Sequence, residues 1–228
     1  KIPLLKWFIA IWLITSHKRG ISSYQLARDI HVTQKTAWFM LHRIRKGLEG
    51  ANDFELKSIV EIDETFVGGK NKNRHRDKKV KNSQGRSFKD KTPVIGMVER
   101  GGFLVAKVIK STKGKYLTPV ITQYVSKDAT LYTDEWHGYN NVKSKYEHDF
   151  IDHSAKQYSK GEVCTNRIEG FWGIFKRGII GVYYKTSRKY LHYYVNEFVF
   201  RYNTREYNEG ERFNMAFYGF TKTRLTYK

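Results

Sequence analysis

Apolar residues recur along this chain with two different periods, and the change of period marks its organisation. Between residues 7 and 48 they return every three or four positions. There is an apolar run from Trp7 to Thr15, then Leu26, Ala27 and Ile30, then Ala37, Met40, Leu41, Ile44 and Leu48. Each set falls on one face of a helix. The first helix is expected to end near Ser16, with Gly20 as a turn and His31-Val32 as a second, tighter one. Ser22 or Ser23, and then Thr33, stand where side-chain oxygens can accept the unpaired N–H groups of a first helical turn. From about residue 58 the period shortens. Residues 58–67 read as a strand, 94–110 as a hairpin turning at Gly101-Gly102, and 130–134 and 147–152 as two more strands, with a helix over 115–126. Helical spacing returns at 165–180 and from 187 to about 206, where Leu191, Tyr194, Val195, Phe198 and Tyr202 make a stripe. This order predicts a small all-α domain at residues 1–50 and an α/β domain with a mixed sheet and flanking helices at 51–228.

The polar side of the third helix changes the picture. Lys35, Phe39, His42 and Lys46 fall opposite its apolar face, flanked by Arg43 and Arg45, with Gln34 opening the helix. That is the form of a helix-turn-helix, whose last helix enters the major groove. Gln34, Lys35, His42, Arg43, Arg45 and Lys46 are therefore the expected DNA contacts, against the plainer alternative of a three-helix bundle with a solvated face. Charge supports the first: 42 Lys plus Arg stand against 22 Asp plus Glu, a formal net charge of +20. Such a chain is attracted to polyanions. Residues 70–91 hold ten basic and two acidic residues with only Val80 and Phe88 as sizeable apolar ones. A segment of that composition cannot bury itself and is expected to be a mobile basic loop, with Lys72, Arg74, Arg76, Lys78 and Lys79 meeting phosphates.

Other features narrow the class. A single cysteine, Cys164, excludes an internal disulfide framework and points to a reducing compartment. The run from Trp7 is far short of the ~20 residues that span a bilayer, and no small-residue cleavage site follows it, so it reads as a buried helix. No membrane partner is expected. The chain opens on Lys1, so an upstream segment is expected.

The candidate chemistry lies in acids placed on unlike elements. Strand alternation sets Glu61, Asp63 and Thr65 on one face and Ile62, Glu64 and Phe66 on the other. Spacing does not choose among Glu61, Asp63 and Glu64. Asp134 ends its strand. Glu169 lies on a helix whose Ile168, Phe171, Trp172, Phe175 and Ile179 form the core side, and Lys176 returns near the side of Glu169 two turns on. Gly170 and Gly173 lie away from that core, each costing about 1 kcal/mol against Ala; close approach of DNA to the backbone would account for them. Carboxylate oxygens suit hard divalent cations. Taken singly, Asp134 also fits a strand-end cap, Glu169 a helix-dipole acid and Lys176 a solvated neighbour. His148 and His153 have a zinc-like gap, but five residues apart on a strand they point to opposite faces. Cys164 reads as a small apolar residue, Trp136 and Tyr139 as packing residues, and His137 as a group that assists near Asp134 or orients its loop.

Four strings then carry a resemblance: EIDETFVGGK around Asp63, YTDEWHGYN around Asp134, NRIEGFWGIFKRGIIG around Glu169, and YLHYYVNEFVFRYN after it. With KIPLLKWF, GISSYQLARDI and KTAWFMLHRIRKGL near the start, they resemble the ISXO-like group of bacterial insertion-sequence transposases over nearly the whole chain. The resemblance implies a ribonuclease-H-like catalytic domain with Asp63, Asp134 and Glu169 as a metal-binding triad and Lys176 as the basic residue that follows. It selects Asp63, and leaves Glu61, Glu64 and Glu135 structural or supporting. It further implies Mg²⁺, replaceable by Mn²⁺, as two ions per site; double-stranded DNA, both element ends and target, as partner; a homodimer or larger assembly on that DNA; and a place in the bacterial cytoplasm with the nucleoid. Relatives commonly begin with a zinc ribbon, whose cysteines this chain lacks. Two ions about 3.5–4 Å apart can stabilise the attacking and leaving oxygens of an in-line displacement. The expected reaction is cleavage at the element end by water, then attack of the freed 3′-hydroxyl on target DNA. A binding protein descended from such an enzyme and a nuclease without strand transfer are the competing readings.

Overall fold

A computed structural model describes residues 1–69, 71–81, 87, 89–134, 136–151, 164–184 and 186–221, the side chains of Lys72 and Thr221 excepted. The elements run α1 (Leu4–Ser16), α2 (Ser23–Asp29), α3 (Gln34–Gly47), β1 (Ile59–Val67), β2 (Thr92–Glu99), β3 (Leu104–Val108), α4 (Gly114–Tyr124), β4 (Thr130–Asp134), β5 (Glu147–Ile151), α5 (Asn166–Gly178), α6 (Leu191–Asn203) and α7 (Glu209–Thr221). The chain divides into two units: Lys1–Asp53, Ile174–Tyr184 and Lys189–Lys228 in one, Phe54–Gly173 and Lys185–Arg188 in the other. The sequence suggests a division near residue 50. Here the C-terminal helices count with the N-terminal ones, and the division also falls within α5.

The sheet unit is built around β1. Its five strands lie in the order β3-β2-β1-β4-β5. β1, β2 and β3 pair antiparallel, while β4 runs parallel to β1 and β5 parallel to β4. This is a ribonuclease-H-like mixed sheet. The hairpin turns through Gly101 at φ +75°, a conformation that glycine adopts without steric cost. Alternation along β1 sorts its side chains. Val60 and Ile62 enter a core with Ile95, Met97 and Leu131 and with Leu117 and Ile121 of α4. Glu61, Asp63 and Thr65 project to the opposite face. On that face α5 sits close: a Cβ added to Gly96, the β2 partner of Asp63, would stand 2.6 Å from Ile168 and Trp172.

The helical unit follows the expected caps. Ser22 Oγ accepts from the Gln25 N–H at 3.1 Å, Thr33 Oγ1 accepts from the Thr36 N–H at 3.2 Å, and His31 makes the turn at φ +49°. Ala37, Met40, Leu41, Ile44 and Leu48 are all buried, joined in one core by Ile11, Ile14, Leu26 and Ile30, by Phe200 of α6 and by Ala216 of α7. The sequence reading has two closing helices, and α7 is a third. Its stripe is blurred because Met215, Phe217 and Tyr218 remain exposed. Its start is nevertheless written in the sequence as a reciprocal capping pair: Glu211 N–H donates to Asn208 Oδ1 at 3.0 Å and Asn208 N–H to Glu211 Oε2 at 2.9 Å.

Candidate active site

The parallel register of β1 and β4 brings two of the expected acids together. Glu61 pairs with Tyr132; carried two residues beyond this last pair, the same register sets Asp63 beside Asp134 on one face. Neighbouring strands are about 4.8 Å apart. β4 ends at Asp134 while β1 runs on to Val67. Asp134 Oδ1 accepts the Trp136 backbone N–H at 3.1 Å, and the Trp136 indole donates to the Thr112 carbonyl at 3.0 Å, which fixes the start of the following loop. Tyr139 is packed in the core, as expected, whereas Trp136 is 38% exposed and serves instead as a hydrogen-bonded contact of the loop. Burial pushes the Tyr139 phenol well above its ordinary pKa, and the charges of Glu64, Asp63 and Asp134 push it the same way.

Glu169 comes to the same face on α5. Ile168, the residue before it, packs against Gly96. The Thr165 hydroxyl donates to Glu169 Oε1 at 2.9 Å, one turn back, while the Glu169 N–H donates to the Thr165 carbonyl. Glu169 and Gly170 are exposed, and open space surrounds the position a Gly170 Cβ would take. Ile168, Phe171, Trp172, Phe175 and Ile179 are buried, as their spacing requires. Lys176 is exposed in the last turn of the same helix.

By donor chemistry and by sheet face, Asp63, Asp134 and Glu169 fit a hard divalent cation. Among the described residues, however, no three His, Cys, Asp or Glu side chains stand close enough to hold one ion.

Glu61, expected to be structural or supporting, has well-defined partners. It is wholly buried, and its carboxylate accepts from Arg100 Nε at 3.0 Å and from the Arg167 and Ile168 backbone N–H groups at 2.9 and 3.4 Å. The signal was present: an acid in an apolar strand whose side chain shares the face of Asp63. Glu64 points to the α4 side instead. Cys164, half-buried, lies beside Arg100, whose Nη2 is 2.9 Å from its sulfur. His148 exchanges a hydrogen bond with Thr133 Oγ1 at 2.9 Å, and burial lowers its pKa. His153 and Glu135 lie outside the described residues, as does the side chain of Lys72.

Two expected DNA contacts on α3 require correction. Arg45 is buried at 1% exposure and paired with Glu197 of α6, and His42 is buried among the rings of Trp38, Tyr190, Tyr193 and Tyr194. Helical spacing puts both off the apolar face, but it does not reveal that another helix covers that side. Gln34 is half-buried and donates to Ser23 Oγ at 2.8 Å. Lys35 is exposed, Lys46 is half-exposed, and Arg43 lies over the Phe39 ring at 4.7 Å.

The described part of the basic segment contains short local structure. Asn71–Asn73 and Arg76–Lys78 form two short 3₁₀ turns, and Asn71 bridges both backbone groups of Val80 at 2.8 and 2.9 Å. Arg74 pairs with buried Asp90 at 3.6 Å, whereas Arg76, Lys78 and Lys79 are exposed. Among the described residues, no helix is long and apolar enough to cross a membrane.

Comparisons with known proteins bear on the whole. No curated protein matches the chain. Among solved structures, the chain is similar to a pre-cleavage Mos1 transpososome at 11% identity, with 90% of this chain and 76% of that chain covered and a TM-score of 0.35. It is also similar to the Mos1 transposase paired-end complex with left transposon end, at 12% identity, with 94% and 79% covered and a TM-score of 0.37. Residues 55–203, well over half of the sequence, match the ISXO2-like transposase domain. The chain therefore belongs to the ISXO2-like transposase family and carries a DDE transposase catalytic domain.

Proposed function

We propose that this chain cleaves DNA at the ends of its insertion sequence and transfers the resulting 3′-hydroxyl to target DNA, using divalent cations held by Asp63, Asp134 and Glu169. The observation that supports this reading is the parallel register of β1 and β4, which, carried two residues past Glu61 and Tyr132, sets Asp63 beside Asp134 on the face against which α5 packs. Mg²⁺, or Mn²⁺ in its place, would supply Lewis acidity at the scissile phosphate and activate the attacking oxygen. The protein's own part is to aim three carboxylates from two strands and a helix at one place. Thr165 orients Glu169 through its hydroxyl, and the Trp136 N–H does the same for Asp134. Lys176 is assigned to a DNA phosphate near the scissile bond.

Lys35, Arg43, Lys46, Arg76, Lys78 and Lys79 are the basic side chains assigned to DNA, with Gln34, Arg74 and Lys72 beside them. Buried His42 and Arg45 are assigned to support. The partner is double-stranded DNA, engaged by two or more copies of the chain. Strand transfer is the decisive activity. An oligonucleotide ending in the precleaved 3′-hydroxyl of the element, incubated with supercoiled plasmid and Mg²⁺, should be covalently joined to it. Plasmid cutting without any joined product would favour a nuclease instead.

A further inference from the structure

We infer that Glu61 is a positioning residue: it fixes the register of the Glu169-bearing helix against the Asp63-bearing strand. The inference rests on the metal-binding reading proposed above. Glu61 stands two residues before Asp63 on the same face of β1 and is wholly buried. A buried carboxylate is tolerated only when its charge and lone pairs are matched, and here every partner is a donor. Arg100 Nε meets Oε1 at 3.0 Å, and the Arg167 N–H meets Oε2 at 2.9 Å, with the Ile168 N–H further off at 3.4 Å.

Those two backbone groups belong to the first turn of α5, where N–H groups have no partner within the helix and negative charge is favoured. A strand side chain therefore caps a helix far away in sequence, one residue before Glu169. Arg100 extends the clamp: its Nη2 donates to the Cys164 carbonyl at 3.3 Å, and its guanidinium lies 4.8 Å over the Tyr132 ring. Thr165, the next residue, donates to Glu169. The clamp leads from the strand of Asp63 to the carboxylate of Glu169 without a gap.

Glutamine cannot reproduce it. Its amide has one acceptor end and one donor end, so either Arg100 or the α5 N–H groups would face a donor. Aspartate keeps the charge but is shorter by a methylene, and cannot reach Arg100 and the helix together. Partners that orient metal ligands from behind typically change metal affinity or activity by about 10–100-fold.

The test uses the full chain and Mn²⁺ alone as probe. Mn²⁺ binding is followed by calorimetry without DNA, alongside plasmid nicking across a range of Mn²⁺ and the thermal midpoint. Glu61→Gln and Glu61→Asp should each weaken Mn²⁺ binding, and raise the Mn²⁺ needed for half-maximal nicking, by about 10–100-fold. Affinity for duplex DNA should stay within twofold. The double variant Glu61→Gln/Arg100→Gln removes the stranded guanidinium and should regain thermal stability without regaining Mn²⁺ affinity. If Glu61→Gln does not fold, Glu61→Asp and the double variant carry the same comparison.

Mn²⁺ affinity within twofold of wild type in the Glu61 variants would overturn the inference, as would affinity that returns with stability in the double variant. Wild-type Mn²⁺ binding that is lost in Asp63→Asn but kept in Glu61→Gln would overturn this inference alone. Absence of Mn²⁺ binding in the wild type would overturn the metal reading beneath it.

Discussion

Each unit buries a glutamate against arginine, yet the two carboxylates do different things. Glu197, on α6 of the helical unit, receives Arg45 Nε, Arg201 Nη2 and the Tyr183 hydroxyl, each at 2.5 Å. All three donors are side chains. Burial alone would raise its pKa, but the Arg201 and Arg45 guanidiniums hold it lowered. Arg201 also donates to the Ile14 and His17 carbonyls at 2.6 and 2.9 Å, so the cluster ties α3, α6 and the end of α1 together. Glu61, in the sheet unit, spends half of its carboxylate on backbone N–H groups of the helix that carries Glu169. The first cluster closes on itself; the second leads to a candidate metal ligand. Buried charge alone therefore marks no site, and what the partners hold in place decides its role.

Glu197→Ala would strand two guanidiniums and should cost about 3–5 kcal/mol of stability, read as a lower urea midpoint. The folded fraction should keep its Mn²⁺ affinity, unlike the Glu61 variants; a matching loss of affinity would erase the distinction between the two clusters.

A smaller effect concerns His42. Burial, then the Arg45 charge, lowers its pKa from 6.5 to about 4, and neither ring nitrogen has a hydrogen-bond partner. In this range the unfolded chain binds a proton that the folded one refuses. The stability due to neutral His42 is thus fully present above 6.5 and is lost as pH falls from there toward 4. Between pH 7 and pH 5 the loss is about 2 kcal/mol. His42→Phe should flatten that part of the stability curve, and an equally steep curve would show that the slope arises elsewhere.

Much of the architecture is legible in the sequence because local physics dictates it. Alternation in 58–67 predicts the faces of β1, the Ser22-Ser23 pair and Thr33 predict caps that Ser22 and Thr33 make, and Gly101-Gly102 predicts the hairpin turn. The strand ending at Asp134 is equally plain. Less legible are features that depend on which distant element covers a face. His42 and Arg45 read as exposed because nothing local announces that Tyr190, Tyr194 and Glu197 lie over them. Glu61 reads only as structural or supporting, without a defined task, because its partners, Arg100 and the α5 backbone, are remote in sequence. The helix α7 is a different case, since the Asn208 and Glu211 pair was a readable start signal.

The most direct measurement is metal-dependent nicking of supercoiled plasmid by the wild-type chain and by Asp63→Asn, Asp134→Asn and Glu169→Gln. A metal centre worth several kcal/mol to the transition state corresponds to losses of about 10²–10³-fold. Mg²⁺- or Mn²⁺-dependent nicking is expected in the wild type, with losses of that size in each variant and duplex affinity retained. Nicking that survives all three substitutions would contradict it.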